Sequence, residues 1–338
     1  MLERSHLPKV SVLMSVFNGE EFLAESIESI LTQTFRDFEF LIIDDGSTDD
    51  SVEIINSYYD DRIRLVRNTE NIGLTRSLNK GIRLSKGELV VRMDADDISM
   101  PDRLEKLLHY MNSNPDVGVC GSWLETIGDH QEVWKCYEFD NEIKAQLLFC
   151  NAIFHPTVII KKSCLFENNV FYDEKLRTAQ DYGLWVALSK NVFFANIQEV
   201  LLRYRIHENK IGKKLFFEQM HDANVSRKRM LKYIGVDADS VDMDFHLNVF
   251  NIKDGIDGDF LDKSLEYFSF LISQNNKNGF IKYFCLEKIL AEKWWLLCSE
   301  FSFFNLLKLL GVRKAFFKKA VDKGFLKKIT FLNDCIPR

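Results

Sequence analysis

The sequence predicts an α/β protein built on a doubly wound, mostly parallel sheet and followed by a mainly helical C-terminal region. Between residues 10 and about 119, short β-branched or aromatic runs alternate with longer segments of helical periodicity. The runs are almost continuously apolar, which is typical of parallel strands covered by helices on both faces. With 338 residues, 46% of them hydrophobic, the chain is long enough to bury a large core.

The first four strands are predicted at VSVLMSV (10–16), FEFLIID (38–44), IRLVRN (63–68) and ELVVRM (88–93). Residues 19–34 between the first two strands form a helix with one apolar face, made by Phe22, Leu23, Ile27, Ile30 and Leu31. Ser47 or Thr48 is expected to cap the helix after the second strand, and residues 74–85 form the helix before the fourth.

The pattern is mixed after residue 120. Strands are predicted at 157–162 and 199–207 with a helix at 179–190, and long helices follow at 214–235 and 281–301. The acidic stretch 237–259 is expected to be a loop or hinge. We therefore divide the chain into an α/β domain, 1–210, and a mainly helical region, 211–338.

Carboxylates are crowded at two predicted strand ends. Asp44 and Asp45 end the second strand, and Asp94 and Asp96 follow the fourth. Ligands of doubly wound sheets bind beyond the carboxyl ends of the strands, where the strand order reverses. Adjacent carboxylates repel unless a cation lies between them, and Mg²⁺ or Mn²⁺ accepts such oxygen ligands together with a diphosphate. Asp97 is expected to be a helix cap or a hydrogen-bonding brace.

The Asp-x-Asp spacing alone is weak evidence for a metal site. It also occurs at Asp237/Asp239, Asp242/Asp244 and Asp257/Asp259, in segments that read as solvated loops. The pair at Asp94 and Asp96 differs from these by its position, since it follows a buried strand and lies beside a second acidic strand end.

Several classes of protein are disfavoured. There is no Gly-rich phosphate loop of the dinucleotide-binding or P-loop type, no G-x-S-x-G elbow and no C-x-x-C pair. The seven cysteines are expected to be reduced thiols. No apolar run is long enough to span a bilayer and no signal peptide is recognised, so a cytoplasmic location is expected. No nucleic-acid partner is expected.

The charge distribution is uneven. Residues 301–338 hold nine Lys and Arg against two Asp, a net charge of +7. Because the whole chain has a net charge of −6, residues 1–300 carry about −13. The mixture of Phe, Leu and Lys in 301–338 predicts a helix on an anionic membrane surface, which would make the protein peripheral on the cytoplasmic face. Docking of this tail on the acidic body of the protein is the alternative, and the sequence leaves both open.

Four segments carry a family resemblance: PKVSVLMSVFNGEEFLAESIESILTQTFRDFEFLIIDDGSTDDS (8–51), NIGLTRSLNKGI (71–82), GELVVRMDADDISMPDRL (87–104) and AQDYGLW (179–185). In this order and spacing, the chain resembles the family 2 glycosyltransferases of the GT-A fold, of the bacterial surface-polysaccharide type. The resemblance extends from residue 8 to about 207 and does not include the helical region. It implies that 1–210 is the nucleotide-sugar-binding and catalytic domain, and 211–338 is then expected to serve acceptor or membrane association.

The resemblance implies a role for each matching residue. Asp181 falls where the family has its acceptor base, although Gln180 replaces the glutamate that usually precedes it. Asp94 and Asp96 match the motif that holds the metal ion and the donor diphosphate, and His207 is expected to reach the metal or the diphosphate. The residues expected to bind the nucleotide are Ser15, Asp44, Asp45, Arg76, Asn79 and Asp94. His155 is a weaker candidate ligand, and Tyr182 and Trp185 are expected to shield the base or to pack in the core.

The resemblance also implies an activity. An inverting glycosyltransferase using Mn²⁺ or Mg²⁺ is expected to move one sugar from a nucleotide-sugar donor to a hydroxyl of a glycan or lipid-linked oligosaccharide acceptor in surface polysaccharide synthesis. UDP is the expected nucleotide because UDP-sugars are the family's commonest donors. A nucleotidyltransferase acting on sugar phosphates and a non-catalytic sugar-nucleotide or membrane-binding module are the alternatives. Metal-dependent release of UDP would distinguish an enzyme from a binding module.

Overall fold

The structure is a computed structural model that describes residues 7–128, 130–207, 215–249 and 257–299. The described chain divides into two compact units. The first unit ends at Glu138 and resumes over Ile153–Ala223, and the second comprises Phe139–Ala152 and the described residues from Asn224 onward. The sequence predicts a different boundary, at residue 210, between a catalytic domain and a helical region. That boundary concerns function and stays a prediction.

The described residues of the first unit form a nine-stranded mixed sheet with the order β3-β2-β1-β4-β8-β6-β9-β5, and β7 pairs with β6. The strands are β1 (Val10–Val16), β2 (Phe38–Asp44), β3 (Ile63–Arg67), β4 (Leu89–Asp94), β5 (Ile98–Ser99), β6 (Val117–Gly128), β7 (Val133–Trp134), β8 (Ile159–Lys161) and β9 (Phe193–Ile206).

The first four strands are parallel to one another, as predicted. The later strands add mainly antiparallel pairs, β4 with β8, β6 with β8, β5 with β9 and β6 with β7, while β6 and β9 are parallel. Strands β1 and β2 are buried along nearly their whole length, which explains their continuous apolar runs. The α/β prediction is confirmed, with a sheet that is mixed as a whole.

The helices of the described chain are α1 (Glu20–Leu31), α2 (Ser51–Asn56), α3 (Leu74–Leu84), α4 (Arg103–Ser113), α5 (Asp140–Gln146), α6 (Lys162–Glu167), α7 (Gln180–Leu188), α8 (Phe216–Tyr233), α9 (Met243–Asn248), α10 (Gly258–Asn278) and α11 (Tyr283–Ser299). Helices α1 and α4 bury their apolar faces in the same core cluster as β1 and β4, with Leu23, Ile27 and Leu107 fully buried. Helix α3 lies close enough to β1 that a Cβ atom at Gly81 would be 2.3 Å from Leu13 Cδ1.

Two local predictions are wrong. Helix α2 begins after Asp50 and has no side-chain cap, so neither Ser47 nor Thr48 caps it, and the Ser47 hydroxyl instead accepts a hydrogen bond from the Asn18 backbone N–H. The acidic stretch 237–259 is only partly a loop. Its described residues form a 3-10 turn (Ala238–Ser240), helix α9 and the start of α10, because its aspartates cap helices.

The second unit is helical. Within it, α5 is joined to α11 by the ion pair between Glu142 and Lys288, and the Asn141 side chain accepts a hydrogen bond from the Lys282 backbone N–H at 2.9 Å. His246 is buried and stacks on Phe149, with 4.7 Å between ring centroids. Among the described helices, none combines the length and the apolar character that crossing a bilayer requires. Residues 301–338 lie outside the described chain, and so does the predicted membrane-binding helix.

Candidate active site

The carboxyl ends of β1, β2 and β4 bring three of the predicted residues to one edge of the sheet. Strand β1 lies between β2 and β4, with Ser15 in register with Asp94 and Val16 in register with Asp44. The strand order reverses here, since β2 follows β1 on one side and β4 pairs with it on the other. This edge is the ligand-binding position expected of a doubly wound sheet.

An acidic cluster follows β4. Asp94, Asp96 and Asp97 each offer a carboxylate oxygen within 4.8 Å of the others. Asp97 is fully buried, whereas Asp94 and Asp96 are half-buried. His207 comes from beyond the end of β9, and its Nε2 atom lies 2.9 Å from Asp96 Oδ2. The carboxylates of this Asp-x-Asp pair offer oxygen donors that hard divalent ions accept, and His207 adds an imidazole nitrogen beside them.

Asp97 holds the end of β9 beside the cluster. Its Oδ1 atom accepts a hydrogen bond from the Arg205 backbone N–H at 3.0 Å, and Arg205 Nε donates to the Asp96 carbonyl oxygen at 2.9 Å. The Arg205 guanidinium also lies 4.5 Å from the centre of the Phe22 ring, a cation–π contact with α1. Asp97 therefore acts as a hydrogen-bonding brace, which is one of the two roles predicted for it. It fixes the position of the segment that carries His207.

Two buried arginines supply positive charge behind the cluster. Arg92, inside β4, forms an ion pair with Asp94. Arg103, at the start of α4, donates to the carbonyl oxygens of Arg92 and Pro156 at 2.6 and 2.7 Å. Burial lowers the pKa of Arg103 to about 9, although the negative charge of Asp97 opposes the shift. Our sequence interpretation missed both, and an arginine inside the apolar run ELVVRM was a signal that could have found Arg92.

Asp181 is the second residue of α7, and Asp94 is the last residue of β4. Both carboxylates act on Tyr172, a buried residue whose pKa is raised by burial, lowered by Arg92 and raised by the negative charges of Asp181 and Asp94. Asp181 is half-buried and lies in the first turn of its helix, where a negative charge interacts favourably with the helix dipole. Asp181 and Asp94 are thus linked through their common effect on one buried tyrosine.

His155 contacts Tyr172 rather than the acidic cluster. Its Nε2 atom and the Tyr172 hydroxyl oxygen are 2.7 Å apart, and burial lowers the pKa of His155 to about 3. The imidazole is therefore neutral near pH 7. The Trp185 ring lies 6.3 Å from that of His155, and Tyr182 and Trp185 are both almost completely buried. These aromatic residues pack around the first turns of α7, as the core-packing alternative predicts.

Asp45 organises the loop between β3 and α3. Its Oδ1 atom accepts hydrogen bonds from Asn68 Nδ2, the Ile72 backbone N–H and the Ser77 hydroxyl at 2.7, 3.0 and 2.9 Å, and its Oδ2 atom accepts one from the Gly73 backbone N–H at 2.9 Å. Asp44 is fully buried, and its Oδ1 atom accepts from the Ser47 backbone N–H at 3.1 Å. Contact of either residue with the nucleotide stays a prediction.

Arg76 and Asn79 both face the segment at 172–174. Asn79 is buried, donates to the Tyr172 carbonyl oxygen at 2.9 Å and accepts from the Tyr172 backbone N–H at 3.1 Å. Arg76 Nε lies 3.3 Å from Glu174 Oε2 in an exposed ion pair. Asn79 thus fixes the chain that leads to Asp181. The predicted nucleotide contacts of Arg76 and Asn79 are not tested by this geometry.

The other three Asp-x-Asp pairs have a structural explanation. The side chain of Asp237 accepts a hydrogen bond from the Asp239 backbone N–H, and those of Asp242 and Asp257 cap α9 and α10. All three pairs are exposed. Acidic residues before a helix satisfy backbone N–H groups that the helix leaves without a partner, so these pairs need no ligand.

Comparison with known proteins agrees with this fold. Residues 11–174 match the family model described as glycosyl transferase family 2. The chain is 34% identical to the O-antigen biosynthesis glycosyltransferase WbnJ of Escherichia coli over 237 residues, 67% of this chain and 90% of WbnJ. It is 28% identical over 232 residues to UDP-Glc:alpha-D-GlcNAc-diphosphoundecaprenol beta-1,3-glucosyltransferase WfaP of E. coli, 68% of this chain and 88% of WfaP.

Among solved structures, residues 1–349 of S. aureus TarS in complex with UDP-GlcNAc have a similar fold, with a TM-score of 0.55 and 17% identity over 84% of this chain and 86% of that one. The sheet and the strand-end acids, taken with these likenesses, define a glycosyltransferase of the GT-A fold. The chain belongs to glycosyl transferase family 2.

Proposed function

We propose that the protein is an inverting, metal-dependent glycosyltransferase that moves one sugar from a UDP-sugar to a hydroxyl of a glycan or lipid-linked oligosaccharide. The observation that carries this proposal is the acidic cluster after β4, with three carboxylates within 4.8 Å and His207 Nε2 2.9 Å from Asp96. Mg²⁺ and Mn²⁺ are bound by such carboxylate oxygens, usually with water and substrate phosphate completing the coordination.

In this proposal Asp94, Asp96 and His207 hold Mn²⁺ or Mg²⁺, and Asp94 also contacts the nucleotide. Arg92 keeps the Asp94 carboxylate in place through their ion pair. A divalent ion bound here supplies positive charge that stabilises the departing diphosphate. Ser15 is the second-last residue of β1, Asp44 is the last residue of β2, and Asp45 follows it. With Arg76 and Asn79, they are the proposed nucleotide-binding residues.

Asp181 is the proposed general base. Its carboxylate takes the proton from the acceptor hydroxyl while that oxygen forms a bond to the anomeric carbon of the donor sugar. The bond between the anomeric carbon and the diphosphate oxygen breaks in the same displacement, so the anomeric configuration inverts.

The donor and acceptor classes are proposed from relatives. WfaP is named for transfer from UDP-Glc to a GlcNAc-diphosphoundecaprenol acceptor, and WbnJ for O-antigen biosynthesis. The TarS structure contains UDP-GlcNAc. These names support a UDP-sugar donor and a surface-polysaccharide acceptor for this chain.

Peripheral attachment to the cytoplasmic face of a membrane is proposed for residues 301–338, whose net charge is +7. Each basic residue near an anionic surface is worth about 1 kcal/mol of binding free energy. Flotation of the whole chain and of a 1–300 truncation with vesicles that contain anionic lipid tests this attachment. Equal flotation of the two proteins would contradict it.

The enzymatic proposal is tested by incubating the purified protein with UDP- and GDP-sugars, with Mn²⁺, with Mg²⁺ and with EDTA, and measuring nucleoside diphosphate release. We expect metal-dependent release of UDP that Asp96→Ala abolishes. Asp259→Asn is the matched control, because Asp259 belongs to an exposed Asp-x-Asp pair at a helix start. UDP release that is unaffected by EDTA or by Asp96→Ala would refute the metal-dependent mechanism.

A further inference from the structure

A contact with Asp222 holds the chain just before the proposed base. Asp222 lies in the second turn of α8, and its Oδ2 atom accepts two hydrogen bonds from Thr178, one from the backbone N–H at 2.9 Å and one from the hydroxyl at 2.8 Å. Thr178 is almost completely buried. One carboxylate oxygen therefore fixes both the backbone and the side chain of the residue three positions before Asp181.

The backbone between Thr178 and Asp181 is in an uncommon conformation. Ala179, the residue before α7, has φ +49° and ψ +24°, in the left-handed region that favours glycine. An alanine in this region costs roughly 1–2 kcal/mol relative to the right-handed region. Its side chain cannot cap the helix, and its carbonyl oxygen accepts from the Gly183 backbone N–H at 3.0 Å. The turn therefore needs contacts from outside to persist.

Those contacts come from two directions. On one side, the Thr75 hydroxyl donates to the Leu176 carbonyl oxygen at 3.3 Å, and Asn79 binds the backbone of Tyr172. On the other side, Asp222 is bound to Thr178, the last residue before the strained position. Of the residues contacted in this way, Thr178, which Asp222 holds, is the nearest in sequence to Asp181. Both Thr178 and Asp222 lie beyond residues 11–174, the segment that matches the family model.

We infer that Asp222 is a positioning residue for Asp181: by holding Thr178, it keeps Ala179 in the left-handed turn that directs the Asp181 carboxylate toward the acceptor hydroxyl. This inference rests on the proposed function, in which Asp181 is the base. It also assigns the first turns of α8, which follow residue 210, to the working part of the catalytic unit, in agreement with the extent of the first compact unit.

The test compares Asp222→Ala with Asp222→Asn in steady-state transfer assays. A displacement of about 1 Å at a reacting group can cost about a hundredfold in rate. We expect Asp222→Ala to lower kcat by about ten- to a hundredfold while the KM for the donor changes less than about twofold, because the donor site lies at the strand ends. Asp222→Asn retains an acceptor oxygen for Thr178 and should recover most of the loss. Thr178→Val removes one of the two bonds and should give an intermediate kcat.

Glu218→Ala is the matched control. Glu218 lies one turn earlier on α8 and pairs with Arg177 at 3.6 Å, in an exposed ion pair of little energetic value. We expect wild-type kcat from this variant. A wild-type kcat for Asp222→Ala, or an equal loss for Glu218→Ala, would overturn the inference.

A double mutant separates positioning of the base from general damage. If Asp222 acts through Asp181, Asp222→Ala in an Asp181→Asn background should cause little further loss of kcat. The same fold-loss in both backgrounds would overturn the inference and leave Asp181 as the base. An Asp181→Asn variant with wild-type kcat would instead refute the proposed base, and the inference would fall with it. Thermal unfolding of each variant identifies any that fails to fold, and Asp222→Asn and Thr178→Val then decide the outcome.

Discussion

His207 Nε2 and Asp96 Oδ2 are 2.9 Å apart although 111 residues separate them in the sequence. Next to this contact, Asp97 and Arg205 join the turn after β4 to the end of β9. In the proposed mechanism this imidazole and this carboxylate, in contact at the rim of the acidic cluster, are two of the ligands of one divalent cation.

Replacement of His207 by Ala should weaken Mn²⁺ binding by at least about tenfold, since even residues that only orient metal ligands contribute ten- to a hundredfold to metal affinity. Isothermal titration of the protein with MnCl₂ measures this effect without any turnover. Asp259→Asn, in an exposed pair, should bind Mn²⁺ as the wild type does. An unchanged Kd for His207→Ala would exclude His207 as a ligand.

Replacement of Asp97 by Ala should destabilise the first unit by roughly 1–3 kcal/mol, the usual cost of leaving a buried hydrogen-bonding group without its partner. The variant leaves the Arg205 backbone N–H without its acceptor and removes the negative charge that favours the buried Arg103 cation. Urea denaturation measures the loss. Asp97→Asn keeps an acceptor oxygen and should lose less. A loss below about 1 kcal/mol in Asp97→Ala would contradict the bracing role.

Replacement of Gly46 by Ala should destabilise the protein more than the same change at Gly279. Both glycines have positive φ, +79° and +67°, which costs an alanine about 1–2 kcal/mol. A Cβ atom at Gly46 would also lie 2.7 Å from the Glu70 backbone carbon, whereas one at Gly279 meets no atom within 4 Å. We expect about 1–3 kcal/mol of additional loss at Gly46 from overpacking. Equal losses in urea denaturation would show that the loop moves aside.

Stability should fall below pH 6.5 because of His246. Burial lowers the pKa of this histidine from 6.5 to about 4, so in that interval the unfolded chain binds a proton that the folded chain does not. The free energy of unfolding therefore decreases as the pH falls from about 6.5 to about 4, by up to about 1.4 kcal/mol per pH unit, and levels off below. Its Nε2–H donates to the Leu148 carbonyl oxygen at 2.8 Å, and its Nδ1 accepts from the Tyr267 hydroxyl at 2.7 Å.

The measurement for this prediction is urea denaturation at a series of pH values. His246→Gln should reduce the pH slope by one proton, and the remaining slope includes His155, whose pKa burial also lowers, to about 3. A wild-type slope in His246→Gln would show that the slope has another source.

The sequence predicts β1, β2 and β4 well because their side chains are buried on both faces, which leaves a nearly continuous apolar run in each. Strand β3 is only partly buried and is predicted from its β-branched and apolar residues. It predicts β9 only in its second half, since the exposed Phe193 and the residues after it lack that pattern. The stretch 237–259 is misread because aspartate is equally common in loops and at helix starts, where it caps.

The site is predictable where residue type and strand position coincide, as at Asp94 and Asp96. It is not predictable where a role arises from one long-range contact. Asp222 and Thr178 are 44 residues apart, and Arg205 and Asp97 are 108 residues apart. No local pattern marks such partners, since their chemistry depends on which side chains the fold brings together.

The four hydrogen bonds to Asp45 have a thermodynamic consequence for ligand binding. They fix the backbone at Ile72 and Gly73 and the side chains of Asn68 and Ser77 in the protein without ligand. This loop therefore loses its conformational entropy during folding and not when a ligand arrives. A ligand that binds beside β1 and β2 therefore contacts a loop that is already ordered. The heat-capacity change of binding should reflect the surface that the ligand buries, with little contribution from ordering of the loop.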